Sequence, residues 1–509
     1  MQQLSPRTKL FVLIAALLAV FLGALDALVI GTAMPTIVAD LGGLELYSWV
    51  FSGYMLTRTI SLPLFGKLSD LYGSKKLFLA AVSIFLLGSA GAGLASNMPQ
   101  LIATRAIQGF GAGGNFAVAY TVVAEVSPPE TRGKMMGLIS FVWGVASVLG
   151  PILGGFIVTY LAWPWVFYIN LPIGGLAMLA ILTYFHETRQ KKSEASIDYL
   201  GSFALSVCIL SVLFIFLRAS GAASWHSPEI VGLSVVVFLA GLLFYLAEKR
   251  AKEPLLPLQF LTIRSFVLAN GAAFFSSFAI FSLIAFLPLF IQVSMGKRPA
   301  EVGAIMVPLS LGWSAGALFC GQMVSWIGEK RASVGGAMLM LLTTLMTLTF
   351  SAATGIVYFS IITCAIGTGM GFVSVATLLT VQNSLSESDL GLATSSQQFA
   401  RTLGGTIGIG MSGGVLFYKL HNSLVAFTQQ DSARLSAEMA AEISRNMQKF
   451  LRPELQGQFP EAARQAVQQA IAQGVEAVFW LALAVCLVSL IVCAMLPALP
   501  PQGLHKKQG

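Results

Sequence analysis

The sequence has very little charge for its length: only 10% of its 509 residues are Asp, Glu, Lys or Arg, whereas 56% are hydrophobic. A soluble domain carries about 25% charged residues, so the composition excludes a chain that is dissolved in water. The five cysteines and four histidines form no C-x-x-C pair or Cys/His cluster, so neither a zinc site nor a disulfide framework is implied. A P-loop is also missing, so direct use of ATP is not supported. We expect an all-α integral membrane protein that is not an enzyme and holds no metal or cofactor.

Long apolar runs take the place of the missing charge. A helix needs about 20 mostly apolar residues to cross a bilayer, and this length predicts fourteen spans. They cover roughly residues 9–33, 47–66, 76–96, 99–126, 133–160, 163–185, 198–218, 228–247, 265–293, 300–326, 331–352, 356–381, 391–418 and 473–497. The first run exceeds the roughly 7–15 apolar residues of a secretory signal, so we interpret it as a span and not as a cleavable leader.

The basic residues are distributed by loop. Of the 30 Lys and Arg, 18 lie in alternate short loops and termini, namely Arg7, Lys9, Lys67, Lys75, Lys76, Arg132, Lys134, Arg189, Lys191, Lys192, Lys249, Arg250, Lys252, Arg264, Lys330, Arg331, Lys506 and Lys507. The intervening short loops hold three, Arg218, Lys297 and Arg298. Cytoplasmic loops are enriched in Lys and Arg, so we expect both termini in the cytoplasm and a location in the cytoplasmic (inner) membrane. The net charge then reflects orientation, and no nucleic acid partner is implied.

Two blocks of sequence repeat in the same order. GKLSDLYGSKK (66–76) follows the second span and GQMVSWIGEKR (321–331) the tenth, while Gly109, Gly111, Gly113 and Gly133 have counterparts in Gly367, Gly369, Gly371 and Gly391. Related halves with a site near the midplane are typical of transporters. The sequence therefore predicts an N-terminal six-helix bundle (1–190), a two-helix insert (191–262) and a C-terminal six-helix bundle (263–509). A polar, helix-prone loop at about 419–470 is expected outside the cell.

The stretch RAIQGFGAGG (105–114) carries the G-x-G-x-x-G spacing of a dinucleotide-binding loop, with an acid, Glu130, about 20 residues further on. No strand pattern precedes it, so the βαβ unit that such a loop needs is excluded. Small residues at three- and four-residue spacing let membrane helices approach closely. We interpret these glycines as a helix-packing sequence.

Several of these segments resemble the major facilitator superfamily. GKLSDLYGSKK is similar to its loop signature, RAIQG to its fourth-helix motif, and GVASVLGPILGG (144–155) to the fifth-helix signature of its antiporters. LDALVIGTAMPTI (25–37), WPWVFYINLPIG (163–174) and QQFARTLGG (397–405) resemble segments of its fourteen-span drug:proton antiporter branch. The resemblance covers nearly the whole chain and implies a transporter that uses the proton gradient. We expect it to act as a monomer.

Few ionisable residues fall inside the predicted spans, and each is costly there unless it is paired or in contact with water. Asp26 and Arg105 both lie roughly 10 Å below the outer surface at 1.5 Å per residue, so they could pair if their helices are neighbours. The resemblance implies that they are. Asp26 is the first candidate for proton coupling, together with Arg105 and Glu125. A permanent structural ion pair is the alternative.

By resemblance, the loop after the second span forms a conformational latch in which Asp70 caps a helix of the opposite half and Glu125 joins the charge network. Helix N-termini favour anions, so the capping is physically sound. The latch candidates are Gly66, Asp70, Gly73, Lys75, Lys76 and Arg132. Leu71 and Ser74 stand where the family usually has basic residues, so Lys67, Lys75 or Arg132 would have to supply the partner. Ser325 occupies the position of Asp70 in the second copy, which implies that only the N-terminal latch is charged.

The segment with Gly144, Gly150, Pro151, Gly154 and Gly155 is expected to bend the fifth span and pack it closely on a neighbour. By resemblance this motif marks exporters, and a kink without directional meaning is the alternative.

Polar and aromatic residues at mid-span are candidates for a substrate cavity: Tyr54, Arg58, Gln108, Asn115, Phe278, Gln397, Gln398 and Arg401. Two arginines near the midplane and one outer-leaflet carboxylate disfavour a multiply cationic substrate. A neutral, zwitterionic or weakly anionic amphiphile fits better. Arg58 could instead pair with Asp26 or with backbone carbonyls, and the phenylalanines of the ninth span could face lipid or packed helices.

The sequence thus predicts a proton-coupled antiporter that exports amphiphilic drugs or related small molecules by alternating access, with protons, substrate and lipid bilayer as its partners. One alternative is an exporter of a native lipid, siderophore or metabolite on the same fold. A membrane receptor that does not transport and a membrane-bound oxidoreductase are the others.

Overall fold

The computed structural model describes residues 6–126, 132–185, 198–219, 227–251, 258–385, 390–430 and 461–497, which contain helices and no strand. The all-α prediction is confirmed for these residues. The chain divides into two compact units: the first comprises Met1–Leu210 and Val235–Leu255, and the second Ser211–Ser234 and Leu256–Gly509. The domain boundaries drawn from the sequence stay predictions.

The helices follow one another along the chain. The first nine are α1 (Pro6–Leu41), α2 (Tyr47–Tyr72), α3 (Ser74–Gly93), α4 (Met98–Val126), α5 (Arg132–Tyr160), α6 (Trp165–Tyr168), α7 (Asn170–Tyr184), α8 (Tyr199–Ala219) and α9 (Pro228–Arg250). The others are α10 (Arg264–Val293), α11 (Pro299–Ile327), α12 (Glu329–Thr347), α13 (Ile356–Asn383), α14 (Leu390–Gln430) and α15 (Glu461–Met495). Two 3-10 turns, Leu44–Leu46 and Leu258–Thr262, precede α2 and α10.

Each predicted span overlaps one of these helices, or the pair α6 and α7. Within the described ranges, nine helical segments are long and apolar enough to cross a membrane. The multi-pass character of the chain is therefore confirmed, whereas the count of fourteen spans stays a prediction.

The helices differ from the sequence-based bounds at several ends; α1, for example, continues to Leu41 and not to about residue 33. The sixth predicted span is interrupted between Tyr168 and Asn170, because Pro172 has no N–H to donate to the carbonyl four residues earlier. The helix before the outer loop continues past residue 418 to Gln430, and the helix after it begins at Glu461, well before residue 473. The first turns of α15 are rich in Ala, Gln and Glu, which are good helix formers, so a polar helical stretch precedes its apolar part. The rest of the loop, 431–460, lies outside the described residues.

Glycines of α4 seat this helix against two neighbours. A Cβ atom at Gly109 would collide with the carbonyl oxygen of Tyr54, and one at Gly113 with that of Arg58, both on α2. A Cβ at Gly111 would meet the backbone of Phe85 on α3. The interpretation of RAIQGFGAGG as a packing sequence is confirmed, because its glycines allow backbones to touch.

The second unit repeats this arrangement. Cβ atoms at Gly367 and Gly371 of α13 would collide with the carbonyl oxygens of Leu309 and Trp313 on α11, and one at Gly369 with the carbonyl oxygen of Gly336 on α12. α13 therefore packs on α11 and α12 as α4 packs on α2 and α3. The repeat seen in the sequence is a repeat of helix contacts.

The paired loop blocks also share a backbone conformation. Gly73 separates α2 from α3 with φ +95°, and Gly328 separates α11 from α12 with φ +82°. Side chains other than glycine rarely adopt these angles. By contrast, Gly66 and Gly321, at the first position of each block, have open space around an added Cβ.

Gly73→Ala is expected to destabilise the protein by about 1–3 kcal/mol, the cost of holding a residue with a side chain in a backbone region that only glycine favours. Gly66→Ala is the matched control: it lies within α2 without a close neighbour, and alanine favours a helix by about 0.5–1 kcal/mol over glycine. Thermal unfolding in detergent measures both variants. An equal loss of stability in the two would contradict the assignment of the strain to position 73.

Candidate functional site

A buried carboxylate, Asp26 of α1, is the centre of a polar cluster in the first unit. Its side chain accepts hydrogen bonds from Arg105 Nη1 at 2.6 Å, Gln108 Nε2 at 2.8 Å and Asn170 Nδ2 at 3.0 Å. Asp26 is only 2% exposed. The cluster therefore ties α1 to α4 and α7 in the interior of the first unit.

The positive partner, Arg105, is as deeply buried as the carboxylate, and each side chain of the pair is 1% exposed. Its Nη1 also donates to Gln108 Oε1 at 2.7 Å, and its guanidinium lies over the ring of Tyr54 at 4.0 Å from the centroid. A second ring, that of Phe167, lies at 5.8 Å. One carboxylate and one guanidinium thus neutralise each other where water is excluded.

Helix packing and a helix break bring the neutral members of the cluster to Asp26. A Cβ at Gly88 of α3 would meet the backbone of Gln108, so the two helices touch there. Asn170 opens α7 just after the interruption, and its Nδ2 also bonds Ser89 Oγ at 3.0 Å. Ser89 in turn donates to the carbonyl of Phe167 at 2.8 Å.

The ion pair that the similar depths of Asp26 and Arg105 allowed is present. Sequence reasoning placed Gln108 in a substrate cavity, whereas its amide is engaged within the Asp26 cluster. It missed Asn170 altogether. The only feature of the sequence that could have indicated it is its place in the WPWVFYINLPIG segment, two residues before Pro172.

Glu125, the other candidate for proton coupling, is not part of this cluster. It follows Arg105 by 20 residues on α4, which is about 30 Å of helix. The side chains of Glu125, Asp70 and Arg132 lie outside what the structure describes.

Two basic residues of the latch candidates are described. Lys75 donates from Nζ to the carbonyl of Leu182 at 2.9 Å, which links the start of α3 to the end of α7. Lys76 is exposed. The latch itself stays a prediction.

The antiporter motif packs α5 onto α1 next to the Asp26 cluster. A Cβ at Gly150 would lie 2.7 Å from that of Leu28, and one at Gly154 would collide with the Thr32 hydroxyl. Thr32 Oγ1 also donates to the carbonyl of Pro151 at 3.4 Å. Gly155 is buried and Gly144 half-buried in the same helix. The expected close packing on a neighbour is present, and that neighbour carries Asp26.

Two further cavity candidates of the first unit have separate surroundings. Asn115 is 1% exposed and donates to the carbonyl of Ala19 at 2.7 Å, so it links α4 to α1. Arg58 is half-buried, with its guanidinium carbon 5.3 Å from the ring centroid of Phe116 and 5.6 Å from that of Trp143. The alternative in which Arg58 pairs with Asp26 is not what the structure shows, since Arg105 holds that carboxylate.

The candidates of the second unit lie on α10 and α14. Arg401 lies over Trp313 at 5.5 Å and donates to Gln398 Oε1 at 3.1 Å. Gln397 is fully buried and donates to Thr377 Oγ1 at 3.4 Å. Phe278 is also buried, and its carbonyl lies against Gly408.

Glu329 is a polar contact of the second unit that sequence reasoning missed. Its carboxylate accepts a hydrogen bond from Thr380 Oγ1 at 3.0 Å and one from the side-chain amide of Asn383. It stands in the first turn of α12 and ties that helix to α13. The only signal was an acid at the helix start after the repeated glycine.

The chain is a multi-pass helical protein with a neutralised ion pair deep in its first unit. Its second unit repeats the helix contacts that glycines make in the first. Together these features are those of a membrane transporter. The chain belongs to the major facilitator superfamily, whose family model matches residues 16–409. The transporter assignment, which the sequence predicted, is confirmed at this level.

Two bacterial relatives and one solved structure extend the comparison. The chain is 37% identical to "Multidrug transporter protein MdtP" of Bacillus subtilis (strain 168), over 80% of this chain and 75% of that protein. It is 34% identical to "Multidrug resistance protein 3" of the same organism, over 80% of this chain and 79% of that protein. A bacterial homolog to the human lysosomal transporter Spinster, in an inward-facing and unoccupied conformation, matches with a TM-score of 0.67 at 14% identity. That match covers 97% of this chain and 100% of the other, and it shows the fold alone.

Proposed function

We propose that the protein exports amphiphilic drugs across the cytoplasmic membrane in exchange for protons, by alternating access, and that Asp26 carries the proton. Drug export is supported by the multidrug relatives. Proton coupling is supported by one observation above all, the buried Asp26–Arg105 pair at 2.6 Å.

Protonation of Asp26 changes the electrostatic balance of the cluster. A neutral carboxyl leaves Arg105 buried without a counter-ion, and a guanidinium cannot lose its own proton inside a protein. An uncompensated buried charge of this kind costs about 3–5 kcal/mol. The cost is relieved if Arg105 gains access to water, so proton binding favours a rearrangement of the helices around it. A device of this type converts a proton gradient into movement.

The neighbouring side chains can accommodate both states of Asp26. Asn170 Oδ1 is buried and has no hydrogen-bond partner among the described residues. An amide that turns about its last bond offers its oxygen where it had offered its N–H, so Asn170 can donate to the carboxylate and accept from the carboxylic acid.

Reconstituted liposomes with an imposed pH gradient test the proposal. The wild-type protein is expected to move a lipophilic dye against its concentration gradient and to move protons when the dye is added. Asp26→Asn is expected to lose both movements. The double variant Asp26→Asn/Arg105→Met removes both charges. It also lacks the proton carrier, but it leaves no unpaired cation in the interior. Loss of coupling in this variant is therefore not caused by an unpaired Arg105. Arg218→Met, at an exposed ion pair, is the control that should retain transport.

Three outcomes separate the parts of the proposal. Coupled transport that persists in both Asp26 variants would assign the proton to another acid, with Glu125 as the next candidate. Dye transport without proton movement would contradict the antiport. No movement of several dyes by the wild-type protein would contradict drug export and favour a native amphiphile as the cargo.

A further inference from the structure

Arg58 lies close to the middle of the 26-residue helix α2, where a charge has to be compensated or reach water. Its guanidinium lies over the faces of Phe116 on α4 and Trp143 on α5, at 5.3 and 5.6 Å from the ring centroids. The two rings meet edge to face at 6.4 Å between centroids. Together the three side chains form what we call the Arg58 clamp.

No carboxylate of the described residues forms an ion pair with Arg58. Asp26 of α1, the buried acid of the cluster described above, already has its charge neutralised by Arg105 at 2.6 Å. The aromatic faces attract the cation but bring no negative charge. The middle of the first unit therefore carries a surplus positive charge at the clamp.

The position of the clamp is fixed by backbone contacts. Gly113 allows α4 to touch the carbonyl oxygen of Arg58 itself, and Phe116 follows three residues later on α4. All three clamp side chains are half-buried. Part of each clamp side chain is therefore accessible to a ligand without unpacking of the helices.

We infer that the Arg58 clamp is the binding site for the anionic head group of an amphiphilic substrate, a carboxylate or a sulfonate on an aromatic or lipophilic body. The guanidinium presents N–H donors in a fork that matches such a head group, and Phe116 and Trp143 offer apolar surface to the body. The inference rests on the proposed function, because the bound anion is taken to be cargo.

The clamp also lies near the Asp26 cluster. Tyr54, whose ring lies under Arg105, precedes Arg58 by four residues, about 6 Å of helix. Substrate charge and transported proton would then act on neighbouring turns of α2. This proximity is what an exchanger of protons for anions needs in order to sense both.

Binding of three matched probes tests the inference without a gradient. The probes are pyrenebutyrate, its neutral amide and the corresponding pyrenebutyl trimethylammonium, titrated calorimetrically into protein in phosphatidylcholine nanodiscs with empty nanodiscs as the blank. The wild-type protein is expected to bind the carboxylate about 10- to 100-fold more tightly than the amide, as for a hydrogen bond between charged groups. Arg58→Gln is expected to bring that ratio to about 1, because only the neutral contacts remain.

Two further variants separate charge from packing. Arg58→Lys keeps the charge but loses the planar fork. It should still bind the carboxylate more tightly than the amide, by a smaller factor than the wild type does. Phe116→Leu should weaken all three probes alike. Arg264→Gln, which removes an exposed arginine from the start of α10, is the matched control and should bind as the wild type does.

The inference is overturned if the wild type binds the three probes equally, if it prefers the cation, or if Arg58→Gln keeps the carboxylate preference. Should Arg58→Gln not fold, the wild-type order of affinities and Arg58→Lys still decide. Dye export with equal probe binding would reject the anion site and leave the proposed export standing. Binding selective for the anion without export of any compound would support the anion site and reject the proposed export.

Discussion

Asp26→Asn is expected to destabilise the folded protein by about 3–5 kcal/mol, because it leaves Arg105 as an uncompensated buried cation. Arg105→Met should cost less. The carboxylate that it leaves behind keeps the donors of Gln108 and Asn170, and it can become neutral by taking up a proton, whereas a guanidinium cannot release one. The order of the two single variants, with the asparagine the less stable, follows from this asymmetry.

The double variant Asp26→Asn/Arg105→Met should be more stable than the sum of the two single losses predicts. Neither charge remains, so the desolvation cost that each single variant suffers disappears. Thermal unfolding in one detergent, followed by intrinsic fluorescence, gives the ranking of the three variants and the wild type. The pairwise term of the double-mutant cycle measures how much of the loss belongs to the pair.

An exposed ion pair of the same chain is the control for this experiment. Arg218 and Glu229 are 3.0 Å apart with side chains 56% and 51% exposed, and such a pair is worth about 0–1 kcal/mol. Arg218→Met should therefore leave the unfolding temperature almost unchanged. If Asp26→Asn behaves like Arg218→Met, burial does not govern the energy of the Asp26 cluster, and the proposed coupling loses its physical basis.

Residues whose burial carries a high energetic cost were the ones that the sequence could identify. Asp26 and Arg105 stand out because a charge inside an apolar run needs a partner. Their similar depth below the outer membrane surface then identifies each as a possible partner of the other. Asn170 carries no charge, and its position depends on where the chain breaks before Pro172. An amide in such a place acquires its role only from the packing of α7 against α1 and α3, which no pattern along the chain records.

The fold, too, was predictable from the sequence in some features and not in others. Glycines at a constant offset predicted two related halves, and the same offset relates the contacts of Gly109 and Gly113 to those of Gly367 and Gly371. Helix ends at the outer loop were placed less well, because hydropathy marks where a membrane span stops and not where a helix stops. Ala, Gln and Glu, which have high helix propensity, begin α15 ahead of its apolar part.

Gly113→Leu is expected to prevent α2 and α4 from packing, with loss of most of the folded, monodisperse protein. Even a Cβ at Gly113 would collide with the carbonyl oxygen of Arg58 and the hydroxyl of Ser61, and a backbone atom cannot rotate away as a side chain can. Overpacking a core that can still adjust costs about 1–3 kcal/mol, and here the obstacle is a neighbouring helix backbone. Size-exclusion chromatography of the purified variant, followed by thermal unfolding of any folded fraction, measures the effect.

The contrast between two glycines of the first unit makes the argument specific. Gly23 of α1 has no atom within 4 Å of an added Cβ, so Gly23→Leu should give folded protein in nearly wild-type yield. Gly371→Leu, at the equivalent contact of the second unit, should fail as Gly113→Leu does, because its Cβ would meet the carbonyl oxygen of Trp313. Normal folding of Gly113→Leu would mean that α2 and α4 do not touch as described. The position of Arg58 opposite Phe116 depends on that same contact. If α2 and α4 do not touch there, the geometry of the Arg58 clamp is wrong as well.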